Sequence, residues 1–364
     1  MGTAFCLWFL CFLDLVFIFS DTLAGAQPQV PAVYVFGDSL VDVGNNNHLK
    51  LSLAKADFPH NGVDYPGKKP TGRFSNGKNI ADFLAEKVGL QTSPPYLASK
   101  SNKSGGFPIT GVSFASGGAG IFNGTDERYR QSIPLTKQIE YHSIVYENLV
   151  QELGSGPALD HLSRSLFTVV IGSNDLLGYF KSGSDLPKKT PPQQYVDSMA
   201  LTLKQGLKRM HDFGARKYVI LGVGSIGCCP SQRNQNKSGE CNEEANYWSS
   251  KYNDGLKLML QALKSELKDM DYSYVDTYNV FDSFVQRPTT YGFTEVKAAC
   301  CGLGNLRAEV PCIPVSSYCS NRSDHVFWDL YHPTEAAARF FINTVFNGSQ
   351  QFAIPINVRQ LIAA

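Results

Sequence analysis

Residues able to form a catalytic triad stand near the two ends of this 364-residue chain. Ser39 directly follows an apolar stretch, in the sequence FGDSL, where a serine could equally cap a helix. Near the other end, Asp329 precedes His332 by three residues. At that spacing the carboxylate can bind the Nδ1–H of the imidazole and leave Nε2 to take a proton from a serine. These residues predict nucleophilic catalysis, although a D-x-x-H sequence is also common on helix surfaces.

Two further positions could supply hydrogen-bond donors to a developing oxyanion. Gly118, in the sequence FASGGAG, could present a backbone N–H that no side chain shields. Asn174, in IGSND, could offer its amide NH₂. Together with the backbone N–H of Ser39, they would direct three donors at one tetrahedral oxygen. The ordinary alternatives are a glycine turn at residues 117–118 and a helix cap at Asn174.

The pattern of apolar residues predicts elements that bring these positions to one edge of a sheet. Short β-rich runs alternate with longer helical patterns, which is typical of βαβ units and a parallel sheet. Ligands bind beyond the carboxyl ends of the strands in such sheets, and Ser39, Gly118 and Asn174 all follow predicted strands. We predict strands at 32–36, 112–115, 166–171, 217–221 and 272–276, and helices at 78–88, 134–151, 195–213, 242–268 and 334–346.

The segment 44–76 is predicted as a long loop near the end of the first strand. It begins close to three consecutive asparagines at 45–47, which could bind polar groups of a substrate or form a turn. We favour the turn. A G-x-G-x-x-G pattern at 222–227 is not read as a dinucleotide site, because Pro230 follows where a helix would have to begin.

In this order, the motifs resemble those of the GDSL esterase/lipase family of the SGNH hydrolases, especially its large plant group. The resemblance covers about residues 31–350, nearly the whole chain after its apolar start. The matching segments are FGDSLVDVGNNN from Phe36, GVSFASGGAG from Gly111, IGSND from Ile171, GVGSIGCCP from Gly222 and VFWDLYHPTE from Val326.

This resemblance implies an α/β fold, a three-layer αβα sandwich around a roughly five-stranded parallel sheet. It implies hydrolysis of carboxylic esters without a metal or an organic cofactor. Ser39 would be the nucleophile, His332 the general base and acid, and Asp329 its orienting partner. Gly118 and Asn174 would complete the oxyanion hole with Ser39. Two alternatives stay open: an acyltransferase using the same acyl-enzyme, and a non-catalytic secreted binding protein.

The start of the chain predicts export. Residues 5–20 are almost wholly apolar, and an Ala-Gly-Ala sequence at 24–26 fits a signal-peptidase site. We therefore predict a signal peptide at 1–26 and a single hydrolase domain at 27–364; the alternative is an uncleaved membrane anchor. No second apolar run of membrane length follows. Five N-x-S/T sequons support export, at Asn102, Asn123, Asn236, Asn321 and Asn347.

Cysteine placement also indicates an oxidising compartment, because seven of the nine cysteines lie between 228 and 319, without zinc-finger spacing. Seven is odd, so one thiol is expected to be free. The family resemblance implies six cysteines in this region, so Cys229 would be the additional, unpaired one. The remaining six would form three disulfides. Cys228 with Cys241 is the pairing we expect, and the pairing among Cys300, Cys301, Cys312 and Cys319 stays open.

Net charge argues against nucleic acid as a partner. The chain has 33 basic and 32 acidic residues, a net charge of +1, and no dense basic cluster.

The expected substrate is a small-molecule or lipid acyl ester. Lipids, polyesters, acetylated polysaccharides and phenolic esters are all compatible with this composition, which also leaves the oligomeric state open.

Overall fold

Four buried parallel strands form the centre of the fold, in a computed structural model that describes residues 28–101, 106–125 and 127–364. They are β1 (Val33–Gly37), β2 (Leu166–Val170), β3 (Lys217–Leu221) and β4 (Asp271–Val275), in that spatial order. Only the first residues of β3 and β4 are less than fully buried, as expected for a parallel sheet covered on both faces. The carboxyl ends of all four strands therefore meet at one edge.

A fifth strand, β9 (Ala353–Pro355), pairs antiparallel with β4 and completes the central sheet. The five-stranded sheet is thus confirmed, but its fifth strand is not the one predicted. Segment 112–115 makes only isolated bridges, one of them between Ser113 and Val35 of β1. Gly111, directly before this segment, has φ 110°, so the chain departs from strand geometry there.

The remaining strands form two small sheets outside the centre. In one sheet β5 pairs with β8 in parallel, and in the other β6 pairs antiparallel with β7. These strands are β5 (Glu295–Ala299), β6 (Cys301–Gly302), β7 (Ser317–Tyr318) and β8 (His325–Phe327).

Helices cover both faces of the central sheet. The α-helices of the described residues are α1 (Ile80–Lys87), α2 (Tyr96–Lys100), α3 (Leu135–Leu153), α4 (Ser155–Arg164), α5 (Ser173–Tyr179), α6 (Leu186–Lys189), α7 (Pro192–Asp212), α8 (Pro230–Arg233), α9 (Glu243–Glu266), α10 (Thr277–Gln286), α11 (Glu335–Phe346) and α12 (Val358–Ala363). Short 3₁₀ helices lie at Asn45–His48, Glu127–Tyr129, Ile226–Cys228, Pro288–Tyr291 and Asn305–Arg307. The five predicted helices correspond to α1, α3, α7, α9 and α11, whereas the other seven, α5 and α10 among them, were not predicted. None of the helices in these ranges is long and apolar enough to cross a membrane.

Two hydrophobic cores separate the layers, because successive residues of a strand point to opposite faces. Tyr34 and Phe36 of β1 belong to the core beneath α3, α7 and α9. Val33 and Val35 belong to the core beneath α1, α10 and α11. The αβα sandwich predicted from the resemblance is therefore confirmed.

Six cysteines form three disulfides: Cys228–Cys241, Cys300–Cys319 and Cys301–Cys312. Cys229 is buried and carries a free thiol. The last two disulfides pack around Trp328, which is fully buried and directly precedes Asp329. The predicted signal peptide at 1–26 and the sequon at Asn102 lie outside the described residues.

Candidate active site

The turn that carries Ser39 begins at a tightly enclosed glycine. A Cβ atom at Gly37 would lie 2.3 Å from the carbonyl oxygen of Val170 on β2, so no other residue fits without displacing the backbone. Gln138 of α3 also holds Gly37. Its Oε1 accepts a hydrogen bond from the N–H of Gly37 and its Nε2 donates to the carbonyl, both at 2.8 Å. The nucleophile candidate is therefore presented from a fixed point at the sheet edge.

The structure brings Ser39, His332 and Asp329 into one chain of hydrogen bonds. The Ser39 Oγ atom lies 2.7 Å from His332 Nε2, across 293 residues of sequence. On the other side of the ring, Nδ1 lies 2.8 Å from both carboxylate oxygens of Asp329. Both acid and imidazole come from the loop between β8 and α11. This is the order of contacts required for a serine to pass its proton to the imidazole.

Local hydrogen bonds keep Asp329 charged. Burial alone would raise the pKa of this carboxyl group. The opposing effects of the nearby His332 imidazole and of the backbone N–H groups of Tyr331 and His332 prevail, so the pKa is lowered below its ordinary value. Those two N–H groups donate to Oδ1 at 3.0 and 2.9 Å. The carboxylate can therefore orient the ring and stabilise an imidazolium ion.

Both predicted oxyanion donors line the cavity that contains the serine. Gly118 has φ 79°, in the region that favours glycine, and a Cβ there would approach the ring of Tyr129 at 3.2 Å. Asn174 is the second residue of α5, and its Nδ2 donates one hydrogen to the carbonyl of Ala119 at 2.9 Å. That bond orients the amide and leaves its second hydrogen for another acceptor. Gly118 and Asn174 line the same cavity as Ser39.

This cavity has a volume of about 530 Å³, which is within the usual range for small-molecule sites. Most of its walls are apolar or aromatic, contributed by Leu40, Leu53, Ala54, Phe58, Phe74, Tyr129, Leu177, Ile226, Phe281, Pro311, Ile313, Phe327, Leu330, Tyr331 and Pro333. The triad and the two donor candidates supply a small group of polar atoms in the same cavity. Among the described residues, no three His, Cys, Asp or Glu side chains cluster as a metal site would require.

The family model of the GDSL-like lipases and acylhydrolases matches residues 33–345, which include all five candidate residues. The chain belongs to this family. A GDSL esterase/lipase of Arabidopsis thaliana is 49% identical to it over 100% of this chain and 99% of the relative. A second Arabidopsis thaliana protein of the same description is 41% identical, over 93% and 92% of the two chains, and a third is 37% identical over 97% of each. Membership makes the chain a carboxylic ester hydrolase.

In this GDSL hydrolase, the glycine turn at 117–118 rests on buried polar side chains that the sequence analysis did not identify as part of the site. Asn46 Nδ2 donates to the carbonyl of Gly117 at 2.8 Å, and Asp42 Oδ2 accepts from the Gly117 N–H at 3.0 Å. Asn45 Nδ2 holds the preceding carbonyl of Ala115 at 2.8 Å. The asparagines at 45–47 form a turn, a 3₁₀ helix, as predicted. The side chains of Asn45 and Asn46 hold the backbone around the candidate oxyanion donor Gly118.

Asp42 is fully buried, and its carboxylate accepts hydrogen bonds from the backbone N–H groups of Gly44, Asn45 and Gly117. Burial raises the pKa of its carboxyl group to about 6, although backbone hydrogen bonds from Gly44, Gly117 and Asn45 oppose the shift. In the sequence, the indication of this supporting role was an acid, Asp42, and two asparagines, Asn45 and Asn46, shortly after Ser39. Ordinary turn formation explains that signal equally well.

Segment 58–78 contacts the part of the chain that carries Asp329 and His332. Trp328, adjacent to Asp329, donates its indole Nε1–H to Asn61 Oδ1 at 3.0 Å within a buried environment. Farther out, Arg322 makes a two-pronged ion pair with Asp64, at 2.7 and 2.8 Å. The long loop predicted after the first strand therefore holds the segment that carries the acid and the imidazole.

We expect Asn61→Ala to lower both stability and turnover of this hydrolase. The Trp328 indole would lose its acceptor, and an unsatisfied buried donor costs about 1–3 kcal/mol. Asp329 is the next residue, so a shift of the indole also disturbs the orientation of the imidazole. Thermal unfolding and kcat would be measured beside Asn305→Ala, an exposed asparagine. Equal behaviour of the two variants would contradict this role.

Proposed function

We propose that this chain is a secreted serine esterase/lipase with Ser39, His332 and Asp329 as its triad. The N–H groups of Ser39 and Gly118 and the amide of Asn174 would form the oxyanion hole. The observation that carries the proposal is the 2.7 Å contact between Ser39 Oγ and His332 Nε2, with Asp329 on the opposite ring nitrogen. The carboxylic ester would be hydrolysed through a covalent acyl-enzyme.

The proposed reaction has two halves. In the first, Ser39 Oγ attacks the ester carbonyl carbon while its proton passes to His332 Nε2, and the oxyanion donors bind the negative oxygen. His332 then protonates the leaving alcohol oxygen as the ester C–O bond breaks. In the second half, water gives a proton to His332 and attacks the acyl carbon. Collapse of that intermediate returns the proton to Ser39 Oγ and releases the acid.

Covalent labelling tests the nucleophile directly. A fluorophosphonate should modify wild-type protein once, at Ser39, as located by peptide mass spectrometry. His332→Ala should label much more slowly, because no base is left to activate the hydroxyl. Wild-type protein that stays unlabelled, or is labelled at another serine, would contradict the proposal and favour a non-catalytic binding protein on a hydrolase scaffold.

Water access favours hydrolysis over acyl transfer. Leu53 lines the cavity and is 60% exposed, so the site is open to solvent on this side. We therefore expect free acid as the main product, even with a polyol present as a competing acceptor. Product analysis by mass spectrometry decides this, since transfer would yield the acylated polyol instead.

Asn174→Ala is expected to lower kcat by about 10²- to 10³-fold, with little change in KM. An oxyanion donor acts on the transition state and not on the bound ester, and its loss typically costs about 2.7–4 kcal/mol. Steady-state kinetics with a chromogenic acetyl ester measure both constants. A rise in KM at unchanged kcat would instead assign Asn174 to ground-state binding.

Export is the second part of this proposal. Residues 1–26 would direct secretion and be removed, leaving residues 27–364 as the hydrolase domain. In support, the sequon asparagines that the structure describes are all exposed, namely Asn123, Asn236, Asn321 and Asn347. Expression in plant cells should release a glycosidase-sensitive protein beginning near Gln27. A product retained inside the cell with Met1 still present would contradict export.

A further inference from the structure

We propose that the wall of the cavity built after β3 and β4 holds the acyl chain of the ester, and that Gly224 sets how large a chain fits. This inference rests on the proposed esterase function and deepens it. It concerns five residues, here called the acyl wall: Gly224, Ile226, Cys229, Thr277 and Phe281. All five line the same cavity as Ser39.

Several residues that line the cavity form two groups, according to the glycine that each of them lies against. On the side of the oxyanion turn, Gly118 lies against Tyr129 and Ala54, and Gly117 lies against Phe74. On the other side, Gly224 lies against Thr277 and Phe281. The first group comes from segments outside the parallel strands, and the second from the segments that follow β3 and β4, including the start of α10. The cavity that Ser39 lines therefore has two walls, built from different parts of the chain.

Protonation of the leaving group decides which wall receives the alcohol. His332 Nε2 must reach the alcohol oxygen, so the alcohol portion has to lie on the imidazole side. The ring of His332 packs against Phe74, with 5.0 Å between ring centroids. Phe74 belongs to the first group. The alcohol portion is thereby assigned to that side, and the acyl chain must extend from the carbonyl carbon towards the acyl wall.

The acyl wall also has the composition that an acyl chain requires. Ile226, Cys229 and Thr277 are only 8%, 4% and 4% exposed, and none of the five residues is charged. The opposite side includes Lys55 and the exposed Leu53. Burial of CH₂ groups against a sheltered, uncharged wall stabilises the bound acyl chain.

Gly224 controls the space in front of this wall. Its φ lies outside the left-handed region, so its backbone does not require glycine. A Cβ atom would stand 3.7 Å from Thr277 Cγ2 and 4.0 Å from Phe281 Cδ2, which is ordinary van der Waals contact. A larger side chain can therefore be built here without backbone strain, and it would occupy the space between Thr277 and Phe281. The absence of a side chain keeps that space open.

The test is a graded series, Gly224→Ala and Gly224→Leu, with Gly156→Leu as the matched control. Gly156 lies exposed on α4, and a Cβ there meets no atom within 4 Å. Two substrate sets are used: p-nitrophenyl esters from acetate to octanoate, and acetates of increasingly large alcohols. We expect Gly224→Leu to lower the octanoate-to-acetate ratio of kcat/KM by about tenfold or more, as steric exclusion from an apolar pocket does. Gly224→Ala should give a smaller shift of the same sign.

The two substrate sets separate failure of this inference from failure of the proposed function. Wild-type protein without any Ser39-dependent hydrolysis would overturn the esterase mechanism itself. Ser39-dependent hydrolysis confined to acetyl esters, an unchanged ratio in both Gly224 variants, or a loss that follows the alcohol instead would overturn only the acyl-wall assignment. Should Gly224→Leu fail to fold, as circular dichroism would show, the Gly224→Ala ratio decides alone.

Discussion

Ser39→Ala is expected to lower kcat for ester hydrolysis by about 10⁴- to 10⁶-fold, the range in which a triad nucleophile is lost. The reason is chemical, because Ser39 Oγ is the hydroxyl hydrogen-bonded to His332 Nε2 among the described residues, and the acyl group would have no other acceptor there. Binding of the ester should change little, since the cavity walls stay intact. Steady-state hydrolysis of p-nitrophenyl acetate measures the effect, with long incubations to quantify the residual rate.

A stability measurement accompanies this experiment. Ser39 lies in a half-buried turn, so removal of its hydroxyl should change the free energy of unfolding by no more than about 0.5 kcal/mol. Ser163→Ala, a half-buried serine on α4, is the matched control and should retain wild-type activity. If Ser39→Ala kept more than a tenth of the activity of that control, Ser39 would not be the nucleophile.

Asp329→Asn is expected to lower kcat by about 10³- to 10⁴-fold. Oδ1 accepts hydrogen bonds from two backbone N–H groups, so an asparagine would keep its carbonyl oxygen there. Its NH₂ group would then point at His332 Nδ1 and donate to it. The ring would be driven into the tautomer with hydrogen on Nε2, which cannot take the serine proton.

The chain offers a close control for this change. Asp324 also contacts an imidazole, that of His325 at 2.6 Å, but away from the cavity. Asp324→Asn should leave kcat within about twofold of wild type, whereas Asp329→Asn should not. The fluorophosphonate labelling rate should fall in parallel with kcat in Asp329→Asn. A normal labelling rate in that variant would mean that Asp329 does not act through the imidazole.

The central strands could be predicted because local sequence determines them. The runs at 166–171 and 217–221 are continuously apolar, which is what burial on both faces requires. β9 could not be predicted in this way, because three residues beside a proline carry no periodic signal. α5 and α10 are short helices that begin directly after β2 and β4, and for α5 the sequence analysis considered these positions as site residues and not as an element.

Sequence patterns indicate where strands end, but not which distant side chains meet there. Ser39, Gly118 and Asn174 were chosen as candidates because each follows a predicted strand, and all three line one cavity in the structure. The supporting contacts of Gln138 with Gly37, and of Asn61 with Trp328, join segments 101 and 267 residues apart. No local pattern encodes such pairs, so their roles become visible only in three dimensions.

Separation of the nucleophile from its base has a consequence for biosynthesis. A chain emerging from the ribosome carries Ser39 long before it carries His332, so the growing polypeptide holds only an ordinary, unactivated alcohol. On the proposed mechanism, hydrolytic power arises only when the last portion of the chain has been made and has docked. A half-made chain would therefore leave cellular esters intact.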